Sequence, residues 1–416
     1  MSTPFRRRLA LIVALALVFR VGYVLAAKAD VDAQGDAIYY AAQAQAVSDG
    51  EWFRHPHHPE PDGGREAADH APLTSLVLAP VSVVWSDSLL AQRLAMAVLG
   101  AGVVLVVALL TRRIAGDRTA LVAAALAAAY PNLWLNDVLT MSETLTAAGV
   151  AGILLAVYRF RDRPGTARAA VVGALVGVTV LARAEIALLL PAAFFPVALL
   201  VRSEPLRRRL TWLGASAAAA MLLLLPWTAY NLARFDEPVL VSHNDGLTLV
   251  GTNCEEAYNG QSTGYWLIQC LPPGAFTSDQ ARDQSVVSHE YRSQAIGYAR
   301  DHLSDLPRVA LVRFGLAWSA HDPSGMVRYT ELEDRDTWAS WLGLAFYYPM
   351  LVAGLAGAVV MRRRGWLVLP LASTAVVVTV TAVAFYGHVR FRIPAEVALV
   401  VLTAIAVDGR RTLLRS

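Results

Sequence analysis

At 416 residues, 56% of them hydrophobic and 17% charged, with a mean hydropathy of +0.45, the chain is more apolar than a soluble domain of this size needs for its core. The formal net charge of +3 comes from arginine runs beside apolar segments and gives no reason to invoke nucleic acid. No Gly-rich phosphate loop of Walker or Rossmann type is present, so a bound soluble nucleotide is not expected.

Runs long enough to cross a ~30 Å hydrocarbon layer as helices can be placed about ten times. They fall near residues 8–27, 89–111, 117–131, 141–159, 167–183, 185–201, 210–228, 339–361, 365–386 and 393–408. The expected fold class is an all-α polytopic integral membrane protein with about ten transmembrane helices, interfacial helices in its first outer loop, and a mixed extracytoplasmic segment. Arginine runs at 6–8, 112–113, 159–168, 207–209, 362–364 and 410–411 mark every second connection, which predicts that those ends are cytoplasmic. The first run shows no small-residue cleavage site, so an uncleaved first span is expected. Residues 28–88 and 229–338 then form the outer mass. This divides the chain into a transmembrane module over 1–228, an extracytoplasmic segment over 229–338, and C-terminal transmembrane helices over 339–416. A single lysine against 35 arginines looks like a bacterial coding bias, and the expected location is the cytoplasmic membrane.

After the first span, Asp30, Asp32 and Asp36 fall within seven residues. Ala37 to Ser48 contains no proline or glycine and ends at Asp49-Gly50, a helix stop. Its apolar stripe is weak, which predicts a helix lying at the interface. Asp36 is a candidate base or a helix cap, whereas Asp30 and Asp32 read as solvated charges. Residues 54–69 are a loop, and 72–85 form an apolar segment too short to span, interrupted by Pro80. His55, His57, His58 and His70, with Glu60, Asp62, Glu66 and Asp69, could ligate a divalent cation, but their spacing is irregular.

Between the third and fourth spans, Asp137 and Glu143 stand at membrane helix ends, where burial of a carboxylate is costly. Arg93 and Arg183, at the outer ends of two spans, and Arg20, inside the first, are further cations. Arg183 has Glu185 as a local partner, and Arg20 is expected to pair with an internal carboxylate. Arg390 and Arg392 lie in the last outer turn, where positive-inside statistics do not put them. They can bind a phosphate or snorkel to headgroups. The only cysteines, Cys254 and Cys270, fall in the second outer segment, where a disulfide is expected over two free thiols. That segment also carries two β-like stretches, 239–241 and 247–250, a helical run over about 280–303, and an apolar stretch over 306–318. Tyr258, Tyr265, Trp266 and Trp318 can stack on sugars or simply line a membrane interface.

The motifs Gly35-Asp36, His70-Ala71-Pro72-Leu73 and Gln92-Arg93-Leu94, then Leu225-Pro226-Trp227, Glu237-Pro238-Val239, Ser242-His243-Asn244-Asp245-Gly246 and Arg390-Phe391-Arg392-Ile393-Pro394, occur in an order that resembles the GT-C glycosyltransferases. These are membrane enzymes using polyprenyl-phosphate sugars, among them the protein mannosyltransferases and the aminoarabinose transferases. The second motif reads His-Ala-Pro where that family has His-Pro-Pro. The resemblance implies Asp36 as catalytic acidic residue and Glu143 as a second, and its motifs carry His70, Arg93, Arg390 and Arg392 as candidate substrate contacts; Asp137 and Arg183 join the candidate substrate contacts by their place at span ends. It also implies a polyprenyl-phosphate-linked sugar donor in the lipid phase and a glycan, lipid or protein acceptor, with inversion at the sugar. A flippase or transporter is the competing expectation, although no internal repeat is visible.

Overall fold

The computed structural model describes residues 3–56, 65–275, 279 and 282–413. Each of the ten apolar runs contains a helix. The first is α1 (Thr3–Tyr23), continued by a π turn over Val24–Lys28. The next six runs give α4 (Leu89–Ala115), α5 (Asp117–Ala129), α7 (Glu143–Asp162), α8 (Thr166–Val180), a broken helix Ala184–Leu199 ending in α9 (Phe195–Leu199), and α10 (Leu206–Arg234). The last three are α16 (Thr337–Arg363), α17 (Leu369–Ala384) and α18 (Ile393–Leu413). Five of these are long and apolar enough to cross a bilayer by length and composition: α1 with its π turn, α4, α7, α10 and α16. The chain is thus a polytopic membrane protein.

The spans share one apolar core drawn from α1, α4, α5, α7, α8, α16, α17 and α18, with Val104, Val107, Ala124, Val150, Leu154 and Val400 fully buried. In lipid no hydrophobic drive holds helices together, so close backbone approach must. Gly173 and Gly177 of α8, four residues apart, lie against Ser216 and Ala220 of α10 so closely that a Cβ at either would fall within 3.0 Å of those backbones.

The first connection folds as expected, into α2 (Asp36–Ser48) and α3 (Leu73–Val84). They pack together through Ala44, Leu78 and Met96 of α4, and Ser75 donates to the Tyr40 carbonyl. The short α6 (Pro131–Trp134) and a 3-10 turn over Asn136–Val138 lead into α7. The second connection holds α11 (Asn244–Val250), α12 (Glu255–Tyr258), α13 (Gln284–Asp301), α14 (Leu306–Ala317) and α15 (Pro323–Glu331), and the expected disulfide joins Cys254 to Cys270.

The β-like stretches are a correction: no strand forms among the described residues, only one isolated bridge between Arg54 and Glu66. Residues 247–250 are the second half of α11, whose Gly246 sits directly on Ser288 of α13; this helix packing overrides the β propensity of Leu, Thr and Val. At 239–241 the backbone is irregular because α10 supplies its partners: the Leu240 and Val241 carbonyls accept from Thr228 Oγ1 and Trp227 Nε1.

Candidate active site

Gly35 begins the site. Its φ of +57° turns the chain into α2, and a Cβ there would lie 3.3 Å from the Leu332 carbonyl, so glycine serves both the left-handed conformation and the close approach. Gly35 is the N-cap, and Asp36 is the first helical residue, which caps nothing. Its carboxylate instead turns to the far end of the sequence: Arg390 Nη2 donates to Asp36 Oδ2 at 2.6 Å.

Arg390 is the hub. Its Nη1 donates to Glu333 Oε1 at 2.6 Å and its Nε to Glu143 Oε1 at 3.1 Å. One guanidinium thus serves three carboxylates brought from α2, the first turn of α7, and the stretch after α15. Arg183 donates to the same Glu143 oxygen at 2.7 Å and to Glu185 at 2.7 Å. Glu143 is fully buried, and its Oε2 has no hydrogen-bond partner. His70 Nε2 lies 3.7 Å from Asp36 Oδ1. His388, buried, accepts the Arg390 backbone N–H on Nδ1 and directs Nε2 toward Glu333 Oε2 at 3.8 Å. Burial first, then the Arg390 and Arg335 charges, push the His388 imidazole well down, which keeps it neutral. Burial alone would raise the Asp36 carboxyl; Arg390, His70 and Arg183 more than offset it and hold the group well below the ordinary carboxylate range.

Two cavities, of about 180 and 360 Å³, share Asp36, His70, Asn244, Thr248, Tyr386 and Arg390 as a common wall. The first runs toward Tyr40, Arg183 and Phe391, and the second toward Asp69, Trp266, Tyr329 and Glu333. Such a divided pocket can seat two reactants on either side of one carboxylate. A carboxylate, two guanidiniums and enclosing walls are therefore in one place, the kinds of group that proton transfer and anion stabilisation require.

The structure brings together Asp36, His70, Glu143, Arg183 and Arg390 from the sequence candidates. Three others lie elsewhere. Asp137 is held by Arg20 at 2.7 Å and by Thr144 at 2.8 Å, inside the bundle. Arg392 pairs with Glu396 one helical turn on at 2.5 Å and covers the Tyr347 ring. Arg93 donates to the Lys28 and Val31 carbonyls and to Asp334 at 3.1 Å. Trp266 reaches a cavity wall, whereas Tyr258 is buried against Tyr298 and His302. Asp30 and Asp32 are exposed, as expected.

Glu333 was missed. It sits in Glu331-Leu332-Glu333-Asp334-Arg335-Asp336, a charged run that reads as a solvated loop. In the fold every member after Leu332 is pinned. Asp334 is held by Lys28 and Arg93, Arg335 donates to Asn136 at 2.6 Å, and Asp336 accepts from Tyr23 and Lys28. The available signal was the chain's single lysine at the end of the first span, a cation in need of an acidic partner.

The metal reading divides. His57, His58, Glu60 and Asp62 lie outside the described residues. Asp69 has His55 and His243 at 3.8 and 3.7 Å and Arg65 at 3.4 Å. Despite burial, those neighbours lower its carboxyl to about 2. Among Asp36, Glu143 and Glu333, the place a divalent ion would take is filled by the Arg390 guanidinium, so these residues do not fit a resident metal.

A family model described as dolichyl-phosphate-mannose-protein mannosyltransferase matches residues 69–230. No curated protein matches the chain. Among solved structures, the oligosaccharyltransferase AglB from Archaeoglobus fulgidus, in complex with an inhibitory peptide and a dolichol-phosphate, aligns at TM-score 0.54 and 14% identity over 99% of this chain and 51% of that one. An Archaeoglobus fulgidus oligosaccharyltransferase tethered to an acceptor peptide aligns at TM-score 0.56 and 16% identity, over 98% and 50% of the two chains. ArnT from Cupriavidus metallidurans bound to undecaprenyl phosphate aligns at TM-score 0.45 and 17% identity, over 97% and 78%. The chain spans about half the length of the oligosaccharyltransferases it matches. The chain shares the fold of these oligosaccharyltransferases.

Proposed function

We propose that the protein is a membrane glycosyltransferase that moves a sugar from a polyprenyl-phosphate-linked donor to an acceptor hydroxyl, with inversion, on the outer face of a bacterial cytoplasmic membrane. The observation that carries this reading is Asp36 on the shared wall of two cavities, hydrogen-bonded to the over-subscribed guanidinium of Arg390. The lipid phosphate bound by the AglB oligosaccharyltransferase of the same fold supports the donor class.

In this account Asp36 takes the acceptor proton as that oxygen bonds to the anomeric carbon. The bond from that carbon to the phosphate oxygen breaks, and its electron pair leaves with the polyprenyl phosphate. Arg390 and Arg183 face the departing anion, a planar fork being suited to phosphate oxygens. A carboxylate held as low as Asp36 is a weak base. Donor phosphate arriving at Arg390 competes with its three carboxylates, and each contact withdrawn from Asp36 restores basicity. Donor would therefore bind before the acceptor is activated. Glu143 keeps the two guanidiniums in register, and neutral His388 steadies Glu333.

The test uses purified full-length protein in sealed proteoliposomes, a synthetic polyprenyl-phosphate sugar with a labelled sugar, and a cell-envelope extract as acceptor. Loss of label to a glycoconjugate with inverted anomeric configuration by NMR is expected. Label that crosses a bilayer still attached to its lipid, with no transfer, would instead identify a flippase.

A further inference from the structure

Beside the last turn of α17 lies a separate cavity of about 330 Å³. Leu249, Ile296, Ala299, Val309, Ala310 and Val383 give it apolar walls, and Asn253 and Arg313 are its polar members. Asn253 is used: its amide donates to the Leu249 carbonyl and accepts from the Tyr258 hydroxyl. Arg313 is different. It is 4% exposed, and among the described residues no carboxylate pairs with it. Nη1 and Nη2 donate to the Val383 and Thr252 carbonyls at 3.2 and 2.5 Å, and Nε, buried, has no partner. The carbonyls belong to the last turn of α17 and the residues just after α11. They offer helix-end dipoles and no counter-charge. Every other buried arginine described above has a carboxylate. A buried cation without one is costly and normally finds an anion.

The cavity rim supplies the second half of the argument. Ile296 of the lining, with Leu303, Leu311 and Phe314 on the same two helices, α13 and α14, and the turn between them, are large, apolar and exposed, a surface suited to lipid. An anion that reaches Arg313 across such walls should carry a hydrocarbon chain. We propose that this cavity binds an anionic phospholipid of the surrounding bilayer, with its phosphate on Arg313 and the start of one acyl chain along α13 and α14. The site does not depend on glycosyl transfer.

Native mass spectrometry of the full chain tests this, released from nanodiscs of dioleoylphosphatidylglycerol mixed equally with dioleoylphosphatidylcholine. The wild type should retain one phosphatidylglycerol in at least about tenfold preference, the scale a lost charge-assisted contact sets. Arg313→Met should abolish the preference, and Arg313→Lys should keep part of it. Ala299→Trp, which fills the cavity and leaves the cation, should also abolish it. Should Arg313→Met not fold, the lysine and tryptophan variants decide. Undiminished preference in Ala299→Trp overturns the proposal. So does millimolar inorganic phosphate displacing the retained lipid, because a free anion would then suffice.

Discussion

Two sets of buried ion pairs teach different things. Inside the bundle, Arg20 with Asp137 is a one-to-one pair enclosed by helices, and Arg392 with Glu396 is a one-to-one pair beside an apolar cavity lined by Tyr347, Leu351 and Leu399. At the helix ends Arg390 is shared by three carboxylates and opens on two cavities. A closed pair is a structural solution to placing charge in lipid. A cation shared by three carboxylates beside open space has contacts it can exchange, and what separates the two sets is stoichiometry.

Variants sharpen the contrast. Arg390→Met should have the largest effect. It removes the proposed phosphate contact and leaves three carboxylates facing one another, so donor-dependent transfer should fall by about 10³ or more with a lower melting temperature. Arg20→Leu should instead act on stability alone, costing roughly 3–5 kcal/mol because Asp137 is left unpaired. Arg20→Leu combined with Asp137→Leu should recover most of that loss in chemical denaturation, while specific activity per folded molecule stays at the wild-type level. If the double variant is folded and inactive, the two sets are not separable as described.

Glu333→Gln should be milder. Arg390 keeps Asp36 and Glu143, so turnover should drop on the order of tenfold with a tighter donor KM, since one competitor for the phosphate is weakened. The smallest effect concerns acid. Asp69 is held at about 2 against an unfolded value near 3.9. Its contribution to stability is complete above pH ~4 and is lost as pH falls toward 2. A melting curve of Asp69→Asn should therefore converge on the wild type only in that acid range.

Much of this was legible in the sequence, for reasons that differ residue by residue. The spans follow from hydropathy, because lipid admits little else. Asp36, Glu143, Arg183 and Arg390, which the structure brings together, stood out as charges at the ends of spans, and the GT-C resemblance also pointed to Asp36, Glu143 and Arg390. The neighbouring Arg390 and Arg392 could not be told apart. A 3-10 turn over Val389–Arg392 sends one to Asp36 and the other to Glu396 in the first turn of α18, a choice made by tertiary packing. Asp137 looked like Glu143 because both are acidic residues at a helix entrance; only the partner Arg20, 117 positions away, separates them. Glu333 was hidden among other charges. Contrast with the surroundings is what made the site readable, and it fails where the sequence is already polar.

The most direct measurement compares donor affinity with turnover in Asp36→Asn, using the purified chain and a synthetic polyprenyl-phosphate sugar. The account predicts turnover lower by about 10²–10⁴, an unchanged melting temperature, and donor affinity equal to or above the wild type, because Arg390 has lost a charged competitor. Wild-type turnover, or donor binding lost together with turnover in a folded protein, would contradict it.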